Sequence, residues 1–280
     1  MSRYIRFGAG GSIISVRPPQ WGYTVDVQLP LTINALAGHN YGSWDDAAAG
    51  TYDGRLCKCS FLMNETDANA MQDFFMDPTK GRGATVNLAL GTNSGFYPGG
   101  PDKTSSGDFS VACVELEPSG MLHRPMKWFD ISVTLQVLSM PVTSVPTQRD
   151  QGNLQIGTVT GLRYPQDGYG IEILNSCGVA VGMANTISVT DIGTDADRHE
   201  TKIRLTGNTS KMAALANEFA VTIRNNDFSI ITQANNYPYG RAKGGSGTFT
   251  SQLISNVLTF THYGFDQWAM EFRASLKAVA

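Results

Sequence analysis

The sequence predicts a mainly β protein made of two tandem, duplicated domains, each a β-sandwich or partial barrel with one short α-helix. Several short segments recur in the same order in the two halves of the chain. Other stretches alternate apolar and polar residues, which is typical of half-buried strands, and each half has one segment with apolar residues at helical spacing. Several strands and one helix per half favour a β domain whose helix covers one face or edge.

The composition narrows the class of protein. The chain has 280 residues, which suits one large domain or two domains of common size. It is 41% hydrophobic and 10% aromatic, which excludes a disordered chain, and its net charge of −3 argues against a dedicated nucleic-acid binder. Only 16% of the residues are charged, against roughly 25% in typical globular proteins. We therefore expect neighbouring subunits to cover much of the surface.

The most informative sequence feature is an internal repeat. The matching segments, given as pairs from the first and second halves, are PQWGYTVDV (19–27) with PQDGYGIEI (165–173), YPGG (97–100) with YPYG (237–240), SGDFS (106–110) with SGTFT (246–250), and 131–137 with 272–278. These segments keep their order, and their spacing drifts only slightly, as loop deletions would produce. We interpret the pattern as the duplication of a whole domain.

Each half contains one segment that predicts a short amphipathic helix. Asn64 and Asn208 open these segments, and Asn is a favoured N-cap because its side-chain oxygen accepts a backbone N–H at the helix start. The expected inner stripes are Ala68, Met71, Phe74 and Phe75 in the first half, and Met212, Leu215, Ala216 and Phe219 in the second. The helices are expected to end near residues 77–78 and 224–226, where Pro or Asn stops further winding.

The halves meet at a segment rich in Pro, Thr and Ser, residues 141–152, which predicts an extended linker. This places the first domain at residues 1–140 and the second at residues 153–280. The first domain begins with an N-terminal arm, residues 2–15, which could fold onto its own chain or pair with an adjacent subunit. No apolar run of about 18 residues occurs, so no transmembrane helix is expected, and the start of the chain lacks the apolar run of a secretory signal.

The sequence offers no recognisable catalytic constellation. We expect the cysteines to be buried or half-buried thiols, with a disulfide as an open alternative. They are Cys57, Cys59, Cys113 and Cys177. Cys57 and Cys59 are expected to share one face of a strand. His123 and His262 occupy nearly the same place in the repeat, before the last strand, and we interpret them as polar turn residues. Motifs for a serine nucleophile, a phosphate loop or a zinc protease are missing, so we expect no enzyme, cofactor or metal site.

Three long glycine-rich loops, residues 38–50, 91–107 and 237–247, are predicted to be contact arms that a neighbouring subunit orders. The last two occupy the same place in the repeat. The candidate inter-subunit contact residues in these loops are Tyr41, Trp44, Phe96, Tyr97, Tyr237, Tyr239, Arg241 and Lys243.

The order of motifs resembles a known family. A Gly-Tyr pair opens a strand at Gly22-Tyr23 and again, after an Asp, at residues 167–169; a capped helix then ends at Phe74-Phe75 or Phe219; and an alternating strand closes each half. This resembles the tube-fold domains of the tail tips of long-tailed phages, namely distal tail proteins and small minor tail proteins. Typical members carry one such domain, whereas this chain carries two.

The resemblance implies two tube-like domains in a structural virion protein, which forms a ring at the distal tail tip, joins the tail tube to the hub and lines the DNA channel. It implies a homotrimer with pseudo-sixfold symmetry, or alternatively a homohexamer, with the tail tube protein and the hub or fibre proteins as partners. DNA would pass through the lumen without specific binding, with no membrane insertion, after assembly in the host cytoplasm. The candidate lumen or rim charges are Asp45, Asp46, Asp102 and Asp108.

Other readings of the sequence remain open. Within the same class, the chain could be the repeating tube subunit. A carbohydrate-binding module is suggested by the glycine-rich loops and by the tryptophans, which are Trp21, Trp44, Trp128 and Trp268. Packing at strand ends is the alternative explanation for Trp128 and Trp268, which flank the last strand of each half. An enzyme is the reading that the residues favour least.

Overall fold

The computed structural model describes residues 4–36, 39–44, 55–91, 95–101, 107–123, 127–141, 154–163, 171–177, 198–223, 227–232 and 247–278. The predicted mainly β fold is confirmed, with antiparallel strands and two short α-helices in the described residues. The chain divides into two compact units. Unit 1 comprises Met1–Val27, Asp53–Val145 and Phe260–Asp266, and unit 2 comprises Gln28–Tyr52, Pro146–Thr259 and Gln267–Ala280.

The strands in chain order are β1 (Ile5–Ala9), β2 (Ser12–Val16), β3 (Thr24–Gln28), β4 (Leu31–Leu36), β5 (His39–Trp44), β6 (Arg55–Asn64), β7 (Val86–Leu90), β8 (Gly107–His123), β9 (Trp128–Ser139), β10 (Leu154–Ile156), β11 (Val159–Leu162), β12 (Ile171–Cys177), β13 (Arg198–Gly207), β14 (Phe228–Thr232), β15 (Gly247–Leu253), β16 (Val257–Gly264) and β17 (Gln267–Ala278). The helices are α1 (Glu65–Met76), which follows β6, and α2 (Thr209–Asn217), which follows β13.

The two units have the same strand order. In unit 1 the antiparallel order is β2-β1-β7-β8-β9-β6-β3, and in unit 2 it is β11-β10-β14-β15-β17-β13-β12. The helix follows the equivalent strand in each unit and packs against equivalent strands: α1 against β2, β6 and β9, and α2 against β11, β13 and β17. Each strand in these two orders therefore has a counterpart in the other unit, whereas β4 and β5, which form a hairpin of unit 2, have none among the described residues.

The strand register corrects one detail of the sequence match. Phe61 and Leu205 each lie three residues before the capping Asn of their helix, and they pair with Ile131 and Met270 respectively. Ile131 of unit 1 is therefore the counterpart of Met270 in unit 2, whereas the sequence match had aligned Ile131 with Phe272. A slip of two residues keeps every side chain on its own face of the sheet, so hydrophobic alternation cannot detect it.

Both predicted helix caps are confirmed. The backbone N–H of Asp67 donates to Asn64 Oδ1 over 2.9 Å, and the backbone N–H of Lys211 donates to Asn208 Oδ1 over 2.9 Å. Helix α1 ends at Met76, as Pro78 predicts. Helix α2 ends at Asn217 and continues into a π-helical turn, Glu218–Thr222, before the predicted stop.

Two segments depart from the predicted domain boundaries. The units divide between Val145 and Pro146, near the predicted linker, of which residues 142–152 lie outside the described residues. However, Gln28–Tyr52 belongs to unit 2 and Phe260–Asp266 belongs to unit 1. The N-terminal arm folds within its own unit, because β1 pairs with both β2 and β7.

Candidate assembly interface

The candidate interface is built around β3, a strand at the edge of unit 1. Residues 260–264 of the same chain, at the end of β16, pair with this edge. The backbone N–H of Gly22 donates to the carbonyl of His262 over 2.7 Å, and the N–H of His262 donates to the carbonyl of Tyr23 over 3.0 Å. After this pairing the chain reverses at Phe265 and Asp266, whose φ values of 48° and 64° are typical of a tight hairpin turn. The hairpin tip thus adds a strand to an edge that would otherwise expose unpaired backbone groups.

His262 anchors this hairpin in an aromatic cluster. Its side chain is 2% exposed, and its ring centroid lies 5.0 Å from that of Tyr23 and 5.3 Å from that of Tyr97. Burial lowers the pKa of His262 to about 4, against a smaller opposing effect of the Asp266 carboxylate. The imidazole is therefore neutral at pH 7. The expectation of a polar turn residue was wrong here, because the ring points into the unit and the turn lies beyond it.

Tyr23 connects the hairpin to the loop at residues 95–101. Its hydroxyl accepts a hydrogen bond from the backbone N–H of Tyr97 over 2.9 Å. Burial also raises the pKa of Tyr23 well above its usual value, so the phenol stays protonated. Ring packing and hydrogen bonds between neutral groups hold Tyr23, Tyr97 and His262 together. These interactions suit a permanent contact between the hairpin and the rest of unit 1.

An exposed aromatic pair lies beside this cluster. Trp21 is 63% exposed and Phe265 is 82% exposed, and their rings meet edge to face with centroids 4.7 Å apart. Gly264 lies against the Trp21 ring so closely that an added Cβ would come within 2.8 Å of it. The close approach of the hairpin backbone explains why glycine occupies this position.

The outer face of the unit 1 sheet is polar and forms a shallow groove of about 350 Å³ next to Trp21. The polar side chains lining it from β6, β8 and β9 are Lys58, Ser60, Glu115, Glu117, Ser132 and Thr134. The two serine hydroxyls lie 3.2 Å apart, and Lys58 pairs with Asp26 over 3.4 Å. The corresponding face of unit 2 carries an ion-pair cluster, in which Glu271 lies 2.8 Å from Lys202 and 3.6 Å from Arg204.

The structure corrects the assignment of Phe96 as a contact residue. Its ring is fully buried and packs edge to face on Tyr23 and Phe61, with centroids 5.3 and 6.3 Å away. The buried Arg55 guanidinium donates to the carbonyl of Gly99 in the same loop. The described part of this loop is therefore fixed to its own unit, and Tyr97, which is half-buried, faces the His262 cluster.

The first predicted contact arm is partly regular structure. Tyr41 and Trp44 lie on β5, which pairs with β4 as a hairpin in unit 2, and the Trp44 side chain is half-buried. Gly42 lies against the carbonyl of Leu253, so that an added Cβ would come within 2.5 Å of that oxygen. Asp108 is exposed on β8. The other predicted contact and rim residues lie outside the described residues: Asp45, Asp46, Asp102, Tyr237, Tyr239, Arg241 and Lys243.

Two thiols of unit 1, those of Cys59 and Cys113, are poor nucleophiles. Cys57 and Cys59 point into the core from β6, as their spacing predicts, and Cys113 is half-buried. Burial raises the pKa of Cys59 and raises that of Cys113 to about 11, so both stay protonated at neutral pH. Within the described ranges, no group of three or more His, Cys, Asp or Glu residues could hold a metal ion.

Trp268, predicted to pack at a strand end, is fully buried and donates from its indole Nε1 to Thr209 Oγ1 over 3.2 Å. Of the four tryptophans, only Trp21 is shown with a largely exposed ring among those whose side chains the structure describes.

In comparisons with known proteins, no family model and no curated sequence matches the chain. Across the described residues, neither helix is long and apolar enough to cross a membrane.

Proposed function

We propose that this chain is a structural protein of a phage tail, which assembles into a ring at the distal tail tip, joins the tail tube to the hub and surrounds the DNA channel. The observation that carries the proposal is the repeated strand order of the two units, combined with the completion of the β3 edge by the hairpin at residues 260–266. A repeated β unit with edge pairing is the element from which a closed barrel of many units can be made.

The subunit count follows from the repeat. Contacts that join one unit to the next head to tail close into a ring when the rotation between units closes. With two equivalent units per chain, three chains supply six units, which suits a position between a sixfold tube and a threefold hub. Six chains with the second unit outside the channel form the alternative arrangement.

The polar sheet faces support a DNA conduit. On the unit 1 face, the exposed carboxylates of Glu115 and Glu117 lie among serine and threonine hydroxyl groups. The cation on this face, Lys58, is paired with Asp26. On the unit 2 face, Lys202 and Arg204 are paired with Glu271. Arg273 adds a further exposed cation to the unit 2 face, since it lies opposite Lys202. The paired cations hold phosphates less strongly than free ones would, because affinity for DNA depends on Lys and Arg contacts to phosphate.

The proposal is tested by negative-stain imaging of the purified full-length chain, with a duplex DNA binding assay at physiological salt. We expect discrete six-lobed rings with a central hole and no tight DNA binding. Long tubes of stacked rings would instead identify the repeating tube subunit. Particles without a hole, or tight DNA binding, would contradict the tail-tip proposal.

A carbohydrate-binding module is the second candidate, and the exposed Trp21–Phe265 pair beside the groove favours it. Exposed aromatic rings next to carboxylates and hydroxyl groups suit stacking and hydrogen bonding to a sugar. Glycan-array binding by the wild type that is lost in Trp21→Ala, with rings absent, would favour this candidate over the first.

A further inference from the structure

Unit 2 contains an edge strand equivalent to β3. Strand β12 pairs with β13 in the way that β3 pairs with β6: Ile173 lies opposite Thr201 as Val25 lies opposite Cys57. The two pairs are equivalent because Cys57 and Thr201 each lie seven residues before the capping Asn. This register also shifts the first repeat by two residues, since the sequence match set Val25 against Ile171. Beside β3 lies β16, but among the described residues β12 has β13 as its one neighbour.

Unit 1 contains a hairpin equivalent to the one that completes β3. Strand β16 leads through a tight turn into β17, and the second part of β8 leads through a short connection into β9. That part of β8 pairs with β9 from Leu116–Val133 to His123–Trp128. Its opposite side is open within the described residues, because the pairing of β8 with β7 ends at Val111.

Within the described residues, each chain therefore has one open edge like that of β3, on β12, and one open edge like that of β16, on the second part of β8. Open strand edges present rows of unpaired N–H and C=O groups, which favour pairing with another strand. Pro118 has no N–H to donate, which leaves residues 119–123, near the hairpin tip, for pairing. The pairing that completes β3 also uses a hairpin tip. His262, which bonds to Gly22 and Tyr23, lies two residues before Gly264, the last residue of β16.

We propose that residues 119–123 of one copy of the chain pair with β12 of a second copy, as residues 260–264 pair with β3 within one chain. This inference rests on the proposed ring and identifies the surface that closes it. A donor edge and an acceptor edge that differ make the contact heterologous, so successive copies join head to tail. We identify the partner as a second copy of this chain, because each chain carries both strands of the pair. The same type of pairing already joins β16 to β3 within one chain.

The experiment is disulfide trapping in the full chain. Met121→Cys and Ile171→Cys are combined in a Cys177→Ser background, because Ile171 corresponds to Tyr23, which pairs with His262 in the completed edge. Neighbouring pairs from residues 119–123 and 171–173 cover the strand register. We expect mild oxidation to give a ladder of covalent oligomers that stops at the ring size. A mixture of two chains that each carry only one of the introduced cysteines is expected to stop at the dimer.

A matched control uses Ile13→Cys with Thr160→Cys. These residues are exposed on β2 and β11, the strands at the opposite ends of the two unit sheets. We expect at least tenfold less covalent oligomer from this control pair. Equal cross-linking in both pairs would reflect random collision and would overturn the interface.

The remaining outcomes separate the two proposals. Rings in the images without cross-linking at any scanned pair would overturn this interface and leave the tail-tip proposal standing. Neither rings nor cross-links would overturn both. Cross-linked chains that grow into open filaments would support the interface and contradict the closed ring.

Discussion

The two units share a strand order but differ at one edge and around the helix. In unit 1, the edge of β3 is covered by residues 260–264, whereas β12 of unit 2 pairs with β13 alone in the part of the chain that the structure describes. Helix α1 buries a stripe of four residues, whereas every residue of α2 from Thr209 to Ala216 is buried. One topology therefore accommodates both an amphipathic and a fully buried helix, provided that the strand order and the cap are kept.

The largest effect is expected from removing one core aromatic from each unit. Phe7 packs on Phe61 and Phe75 in unit 1, and Phe219 packs on Phe228 and Phe272 in unit 2. Phe7→Ala and Phe219→Ala should each lower the free energy of unfolding by about 3–5 kcal/mol, because each leaves a cavity. Urea unfolding followed by circular dichroism measures this.

The exposed control Val221→Ala should change the free energy of unfolding by less than about 0.5 kcal/mol. A cost below about 1 kcal/mol for either Phe variant would show that the two cores are not comparable.

The next effect is a pH dependence that His262 gives to unit 1. The pKa of His262 falls from 6.5 to about 4 on folding, so the unfolded chain binds the proton more strongly. The contribution to stability is complete above pH 6.5 and is lost as the pH falls toward 4, by up to about 3 kcal/mol. Unfolding free energies measured at several pH values between 4 and 7.5 should show this slope.

His262→Phe should flatten the slope, since it removes the titrating group and keeps a ring between Tyr23 and Tyr97. Asp266→Asn is the matched control and should retain the slope. An unchanged slope in His262→Phe would contradict the assignment.

A smaller effect compares the first turn of each unit. Gly10 and Gly157 both have φ of 56°, and an added Cβ would lie 2.3 Å from Thr79 O or from Glu218 Oε1 respectively. Alanine should cost about 1–3 kcal/mol at each position. We expect Gly10→Ala to cost more, because a backbone oxygen cannot rotate away as a carboxylate can.

Gly11→Ala serves as the control for these turn variants, because it has a positive φ but no atom within 4 Å of an added Cβ. It isolates the backbone strain from the steric clash. If Gly11→Ala proved as costly as Gly10→Ala, the close contact with Thr79 would be irrelevant.

The smallest effect compares the two helix caps. Asn208 is 3% exposed and also accepts a hydrogen bond from Ser210 Oγ over 2.7 Å, whereas the Asn64 cap is exposed. Alanine should cost about 0.5–2 kcal/mol at each site, and more at Asn208 because its partners are buried. Serine variants, which keep a capping oxygen, should cost less in thermal unfolding. Equal costs at the two sites would show that burial of the cap has no effect.

The features predicted well from the sequence were those set by local chemistry. Asn64 and Asn208 identified both helix starts, and the alternation in residues 131–137 identified β9. The glycine-rich segment at residues 38–50 hid the hairpin of β4 and β5, because strand propensity there is low and pairing decides the structure.

The candidate site was predicted less well, because it depends on contacts between distant segments. His262 reaches Tyr23 across most of the chain, and no local pattern announces such a pair. Phe96 occurs in a glycine-rich loop, which suggested exposure, yet its ring fills the core between Tyr23 and Phe61. One usable signal for His262 was its position in β16, where it alternates in phase with Leu258 and Phe260, both fully buried.

The mass of the full-length protein in solution tests the central claim most directly. Light scattering coupled to size-exclusion chromatography, over a range of concentrations, compares the particle with the 30.2 kDa chain. A single species of three or six chains whose mass does not change with concentration is the predicted result. A 30.2 kDa monomer at every concentration would contradict the account.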